Sequence, residues 1–162
     1  HGGTVTLSSR YLPGSGSDGK IVLGGDIDVS GNWNNDRPAL STSGNRLDAT
    51  PLWTDGGTVS VTAQGDVEVQ STSRIDVSGG AQRTQKGTIV AGDAGGVSIA
   101  AAGAEGSDLS LKGQLSGYSV AGGKGGSLSL ASDKIVIGSV SNPVGEGEPN
   151  PLVLDISQVV WN

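Results

Sequence analysis

Three kinds of short strand recur along this chain in a fixed order, and that order constrains the fold more than any other feature. The first kind opens on Gly-Gly: Gly2-Gly3-Thr4-Val5-Thr6-Leu7, Gly56-Gly57-Thr58-Val59-Ser60-Val61, Gly95-Gly96-Val97-Ser98-Ile99 and Gly125-Gly126-Ser127-Leu128-Ser129-Leu130. The second follows as Lys20-Ile21-Val22-Leu23, Asp66-Val67-Glu68-Val69, Asp108-Leu109-Ser110-Leu111 and Lys134-Ile135-Val136-Ile137. The third ends in Ser-Gly: Asp26-Ile27-Asp28-Val29-Ser30-Gly31, Arg74-Ile75-Asp76-Val77-Ser78-Gly79 and Gln114-Leu115-Ser116-Gly117. Val5 to Val59 is 54 residues, Val59 to Val97 is 38, and Val97 to Leu128 is 31. The shortest interval lies nearest the bare repeat, which is roughly 20–30 residues, and the longer ones carry insertions.

Apolar residues alternate with period two in every one of these runs, which excludes helical repeats. Val59 and Val61 point one way while Thr58, Ser60 and Thr62 point the other; Ile75 and Val77 oppose Arg74, Asp76 and Ser78. Each strand therefore buries one face. An antiparallel sandwich would join unrelated strands through tight hairpin turns. Like strands recurring in order stack on like instead. The expectation is an all-β fold, a parallel β-helix (β-solenoid) with three short strands per coil, roughly five coils, and loop insertions. Its narrow aliphatic interior accounts for a chain with 29 Gly, 17 Val and no Phe, Met or Cys. Gly at the corners is expected to supply positive φ. Asp76, on the outer face, is expected to tolerate Asn.

Residues 1–138 read as the repeated region, with an insertion at 31–57. Residues 139–162 break the pattern through Asn142-Pro143 and Glu146-Gly147-Glu148-Pro149-Asn150-Pro151, then alternate again at Leu152, Leu154 and Ile156. They are the next coil or a cover for the end of the stack. The chain opens on His1 without an initiator Met, which reads as a piece of a larger or processed protein. The net charge of −6 argues against nucleic acid and anionic membranes as partners. No apolar run is long enough for direct membrane insertion. Zero Cys excludes a disulfide framework and Cys-based metal sites.

The ordered set of strands, with Ile27-Asp28-Val29-Ser30-Gly31, Ile75-Asp76-Val77-Ser78-Gly79 and Gly92-Asp93-Ala94-Gly95-Gly96-Val97-Ser98-Ile99, resembles the filamentous haemagglutinin family. These are the large exoproteins of bacterial two-partner secretion. The resemblance spans most of residues 2–138 and implies a right-handed parallel β-helix shaft at the bacterial cell surface or outside the cell. Such a shaft serves adhesion or a biofilm matrix and forms fibres. The Asn-rich motif of that family's secretion domain is missing from this sequence, so the resemblance is to the shaft.

Chemistry-bearing residues are sparse. His1 is the only His, which leaves a His-dependent triad without its base. The acid pairs Asp26/Asp28 and Asp66/Glu68 fit either a polysaccharide-active β-helix enzyme or outward charges that keep a sheet soluble. The second reading is preferred, with no catalytic residues, no metal and no cofactor. Gly14, Gly16 and Asp18 echo one turn of a calcium-binding β-roll, but Lys20 stands at the apolar position and the motif does not repeat. The insertion is more informative, because Trp33 and Trp53 lie inside it. Either they pin the loop to the sheet, or they contact a surface polysaccharide or a second copy of the chain. Tyr118 and Lys124 are placed in a shorter insertion whose position the sequence does not fix. The function expected is a non-enzymatic structural or adhesive shaft. The alternatives are the polysaccharide-active enzyme and the calcium-binding β-roll module.

Overall fold

The computed structural model describes residues 2–14, 17–35, 53–84, 86–103, 107–132, 135–137, 152–154 and 159–161. Gly16 of the calcium-like turn, residues 36–52 of the insertion and the Pro-rich stretch 138–151 lie outside the described residues. The first pass of the chain runs through β1 (Thr4–Ser9), the small hairpin β2 (Tyr11–Leu12) and β3 (Ser17–Asp18), then β4 (Ile21–Leu23), β5 (Ile27–Asp28) and β6 (Trp33–Asn35). The second holds β7 (Thr58–Ala63), β8 (Val67–Val69), β9 (Arg74–Asp76), β10 (Ala81–Arg83) and β11 (Ile89–Ala91). The third holds β12 (Gly96–Ala101), β13 (Leu109–Leu111) and β14 (Gln114–Gly117). Then come β15 (Ser127–Ala131), β16 (Ile135–Ile137), β17 (Leu152–Leu154) and β18 (Val159–Trp161).

Like strands pair with like, in parallel. One sheet has the order β1-β7-β12-β15, a second β4-β8-β13, and a third β5-β9-β14-β18. Val5, Val59, Val97 and Leu128 share one register row, as the sequence spacing requires. Ile21, Val67 and Leu109 form another row, and Ile27, Ile75 and Leu115 a third. The structure is thus all-β, built from parallel sheets of aligned strands, with no helix among the described residues. It is compatible with a β-solenoid. The last second-type strand departs from the simple pattern: β16 pairs with β17, and it is β17 that packs against β13.

The inward residues of the three sheets form one core. Val59, Val61, Val67, Val69, Ile75 and Val77 of the second pass are completely buried, as are Ile99 and Leu115 of the third. Each such side chain contributes about 1.5–3 kcal/mol. Val5, Leu7, Ile21 and Ile27 below them, and Leu128 and Leu130 above, are only partly covered. Only the interior layers have an aliphatic layer on both sides.

Two expectations need correction. The corner glycines were expected to supply positive φ; Gly19 does so at the corner before β4, where its carbonyl accepts from Gly65 N of the next pass, but the other positive φ values among the described residues fall at Gly14, Gly87, Ala121 and Gly122 in turns, and none at the Gly-Gly corners. The paired glycines before the first-type strands serve close approach. Gly57 N donates to Val29 O at 2.7 Å, Gly95 N to Val77 O at 2.7 Å, and Gly126 N to Gly117 O at 2.8 Å. A Cβ on Gly95 would overlap the Gly57 carbonyl oxygen, and one on Gly57 the Gly3 carbonyl oxygen. Asp76 is the second correction. It faces away from Ile75 and Val77, as the alternation requires, yet it is 8% exposed. Arg74 Nη2 donates to its Oδ2 at 2.6 Å and Ser78 N to its Oδ1 at 2.9 Å. The polar face is locally closed by these bonds.

Gly95→Ala should therefore lower stability by about 2–3 kcal/mol through overpacking and loss of a bond between passes. Gly25→Ala, with open space around it and no positive φ, should stay within about 0.5 kcal/mol of the parent. Urea melts of the two variants check the difference. In the same assay Val77→Asp, which buries an unpaired charge, should cost more than about 4 kcal/mol. Asp76→Asn should cost about 1–3 kcal/mol, because an amide replaces a charged acceptor of the Arg74 bond.

Candidate contact groove

Beyond the Ser-Gly corners the chain leaves the stack twice, and the two excursions pair. β6 runs parallel to β10, and β10 turns back into antiparallel β11. The turn is closed by Thr84 N donating to Thr88 O at 2.8 Å and Gly87 N to Thr84 O at 2.9 Å, with Gly87 at φ +83°. The resulting side sheet has the order β11-β10-β6. It is tied to the stack at its root. Asn32 N donates to Thr54 Oγ1 at 2.8 Å, Gly80 N to Thr54 O at 2.9 Å, and Ala81 N to Asn32 O at 3.1 Å. Thr54 thus joins both ends of the insertion to the second pass.

Register decides what this sheet displays. Trp33 aligns with Ala81 and Ala91, and Asn35 with Arg83 and Ile89. By strand alternation these two rows share a face, and Asn34, Gln82 and Val90 point to the other. On this face Trp33, Asn35, Ala81, Arg83 and Ile89 line a groove of about 340 Å³, to which Asn34 also contributes from between Trp33 and Asn35. Ala81, 1% exposed, is its floor, while Trp33 is 57% and Ile89 47% exposed. An aromatic wall, an aliphatic wall, an amide and a guanidinium converge on one shallow surface.

Of the two Trp singled out by sequence, Trp33 lines the groove. Trp53 is half-buried beside Thr54 and does not line it. Tyr118 and Lys124 are also elsewhere: Tyr118 O accepts from Gly79 N at 2.9 Å, and Lys124 N donates to Asp93 Oδ1 at 2.8 Å. Arg83 and Ile89 escaped the sequence reading. Their signal was present as two short runs flanking Gln85-Lys86-Gly87, a hairpin pattern with Gly in the loop.

Three of the four acids considered for catalysis, Asp28, Asp66 and Glu68, are engaged within the framework, while Asp26 is exposed. Asp28 Oδ1 accepts from Ser30 N at 2.9 Å and Ser30 Oγ at 2.6 Å. Asp66 Oδ1 accepts from Asp108 N at 2.9 Å, and Glu68 lies 3.4 Å from Lys20 Nζ. Asp18 belongs to the β2–β3 hairpin and accepts from Lys20 N at 3.1 Å. The hydroxyl and amide of Ser30, with a smaller contribution from the Arg74 charge, hold the Asp28 carboxyl below its ordinary 3.8. Among the described residues, no three His, Cys, Asp or Glu side chains converge as a metal site would need, and no helix is long and apolar enough to cross a membrane.

Comparison with protein families, curated proteins and solved structures finds no match to this chain.

The Asp28 bonds carry a pH signature. A carboxyl whose folded pKa is depressed stabilises the fold fully above its unfolded value, and the contribution is lost as pH falls through the folded value. Acid titration of the melting temperature should show a decline setting in below about pH 4. Asp28→Asn should flatten part of that decline while leaving the profile near pH 7–8 parallel to the parent.

Proposed function

We propose that this chain is a non-enzymatic structural and adhesive shaft segment, with the side-sheet groove as its contact surface. In this reading the stacked parallel sheets are a parallel β-helix of three short strands per coil and roughly five coils. The molecule is of the filamentous haemagglutinin type, displayed by bacteria at the cell surface or in an extracellular matrix. The observation that carries the reading is the division of labour between the two parts. The register-locked stack commits its inward side chains to a continuous aliphatic core, and the excursions from it carry the exposed aromatic groove.

The engagement of three of the four paired acids supports a non-enzymatic role. Catalytic carboxylates must be available to substrate, whereas Asp28, Asp66, Glu68 and Asp76 are engaged by Ser30, Asp108, Lys20, Arg74 and Ser78. The stack also offers what extension needs. Repeats that touch only their neighbours give a rod whose length follows the number of repeats.

Adhesion of chain-coated beads to a bacterial polysaccharide film, and to a film of the chain itself, tests this function. Trp33→Ala should weaken adhesion at least severalfold with the melting temperature unchanged. Tyr11→Ala removes a comparably exposed aromatic, at 56%, from the β2–β3 hairpin, which does not line the groove, and should leave adhesion at the parent level. Equal behaviour of the two variants would overturn the assignment of the contact surface.

A further inference from the structure

The groove residues also define what kind of molecule fits. We infer that the groove binds a carboxylate-bearing sugar unit of an acidic polysaccharide, with Trp33 stacking on the sugar ring and Arg83 pairing with the carboxylate. This rests on the reading of the groove as a contact surface and adds the ligand's chemistry to it.

The argument starts from charge. The chain carries 16 acidic and 10 basic residues, yet β6, β10, β11 and the hairpin turn between the last two hold Arg83 and Lys86 and no Asp or Glu. Among the described residues no carboxylate pairs with Arg83. Within these strands and their turn the charged side chains are both basic, with Asp36 and Asp93 just beyond the strand ends, and a guanidinium presents the planar fork that matches a carboxylate. Long-range attraction of an anion is opposed by the net charge of −6, so recognition acts at short range and within the groove.

Shape supplies the second half. A pyranose ring has an apolar face of C–H groups that stacks on an indole, and its hydroxyls need hydrogen-bond partners. Trp33 offers an exposed indole, and Ala81 a floor small enough for a ring to settle between Trp33 and Ile89. Trp and Arg are the residues that most often carry binding energy at contact sites. Both stand here on paired strands, whose backbone is fixed before the ligand arrives. A neutral sugar would leave the guanidinium without a partner, and an aliphatic peptide would leave it unused. The acidic sugar satisfies all of these groups.

Calorimetry with an oligogalacturonide, and with its carboxyl-reduced counterpart of equal length, tests the inference on the full chain. The acidic oligosaccharide should bind, and the reduced one should bind about tenfold more weakly or less. Arg83→Gln should remove the difference between the two. Trp33→Ala should lower binding of both, and neither substitution should shift the melting temperature. Raising the salt concentration should narrow the preference. Equal affinity for the two ligands, no binding of the acidic one, or a preference that survives Arg83→Gln would each overturn the inference. Failure of the ligand class is separable from failure of the contact surface. If the oligogalacturonide does not bind while Trp33→Ala still weakens bead adhesion, the groove remains the contact surface and its ligand is of another class.

Discussion

The bond from a glycine amide to the carbonyl of the strand that ended the previous pass is the constraint on which the rest depends. It is made by Gly57 to Val29, Gly95 to Val77 and Gly126 to Gly117. Each bond joins the end of one circuit to the start of the next, so it fixes the step by which successive passes are displaced. A side chain at Gly57 or Gly95 would push the passes apart, and the rows from Val5 to Leu128 would lose contact together. Asp side chains reinforce these corners and the ones before the second-type strands. Asp55 accepts from Asp93 N, Asp93 from Lys124 N, and Asp66 from Asp108 N, so the carboxylate of one pass satisfies an amide of the next.

Much of this was legible in the chain because period-two alternation and ordered repeats are local signals. The 54-, 38- and 31-residue intervals between Val5, Val59, Val97 and Leu128 already name the residues that share a register row. What escaped depends on neighbours from another pass. Whether a corner glycine serves φ or close approach is decided by the carbonyl facing it, as at Gly95 and Gly57. Asp76 is the exception: it is closed over by Arg74 and Ser78, two residues to either side of it in the same pass, and alternation alone does not show that the guanidinium folds back onto the carboxylate. Trp33 was visible as an unusual residue in an insertion. Its partners Arg83 and Ile89 lie some fifty residues away and meet it only because two excursions from consecutive passes pair.

That pairing follows from the stack itself. Gly31 and Gly79 occupy equivalent corners of successive passes, and Gly31 N donates to Ser78 O at 2.7 Å. Chain leaving both corners starts out adjacent and parallel, so β6 and β10 inherit the register of the strands before them. The groove is therefore positioned by the same geometry that aligns the core. A contact site built this way keeps its shape for as long as the two passes stay in step.

The distribution of burial shows where that step is held most firmly. Val59, Val61, Val67, Val69, Ile75 and Val77 lie in the second pass between two layers, whereas Val5, Leu7, Ile21 and Ile27 have one layer above them. In a stack whose layers touch only their neighbours, stability accrues through each shared interface, and within the described residues the first pass has one such interface where the second has two. β10, which carries Arg83 and the groove floor Ala81, springs from the second pass; β6, which carries Trp33, springs from the first. The groove thus joins the best-supported layer to a less-supported one. Any separation of the first pass from the second would carry the Trp33 wall away from Arg83, so the groove reports on the same interface that aligns the core rows.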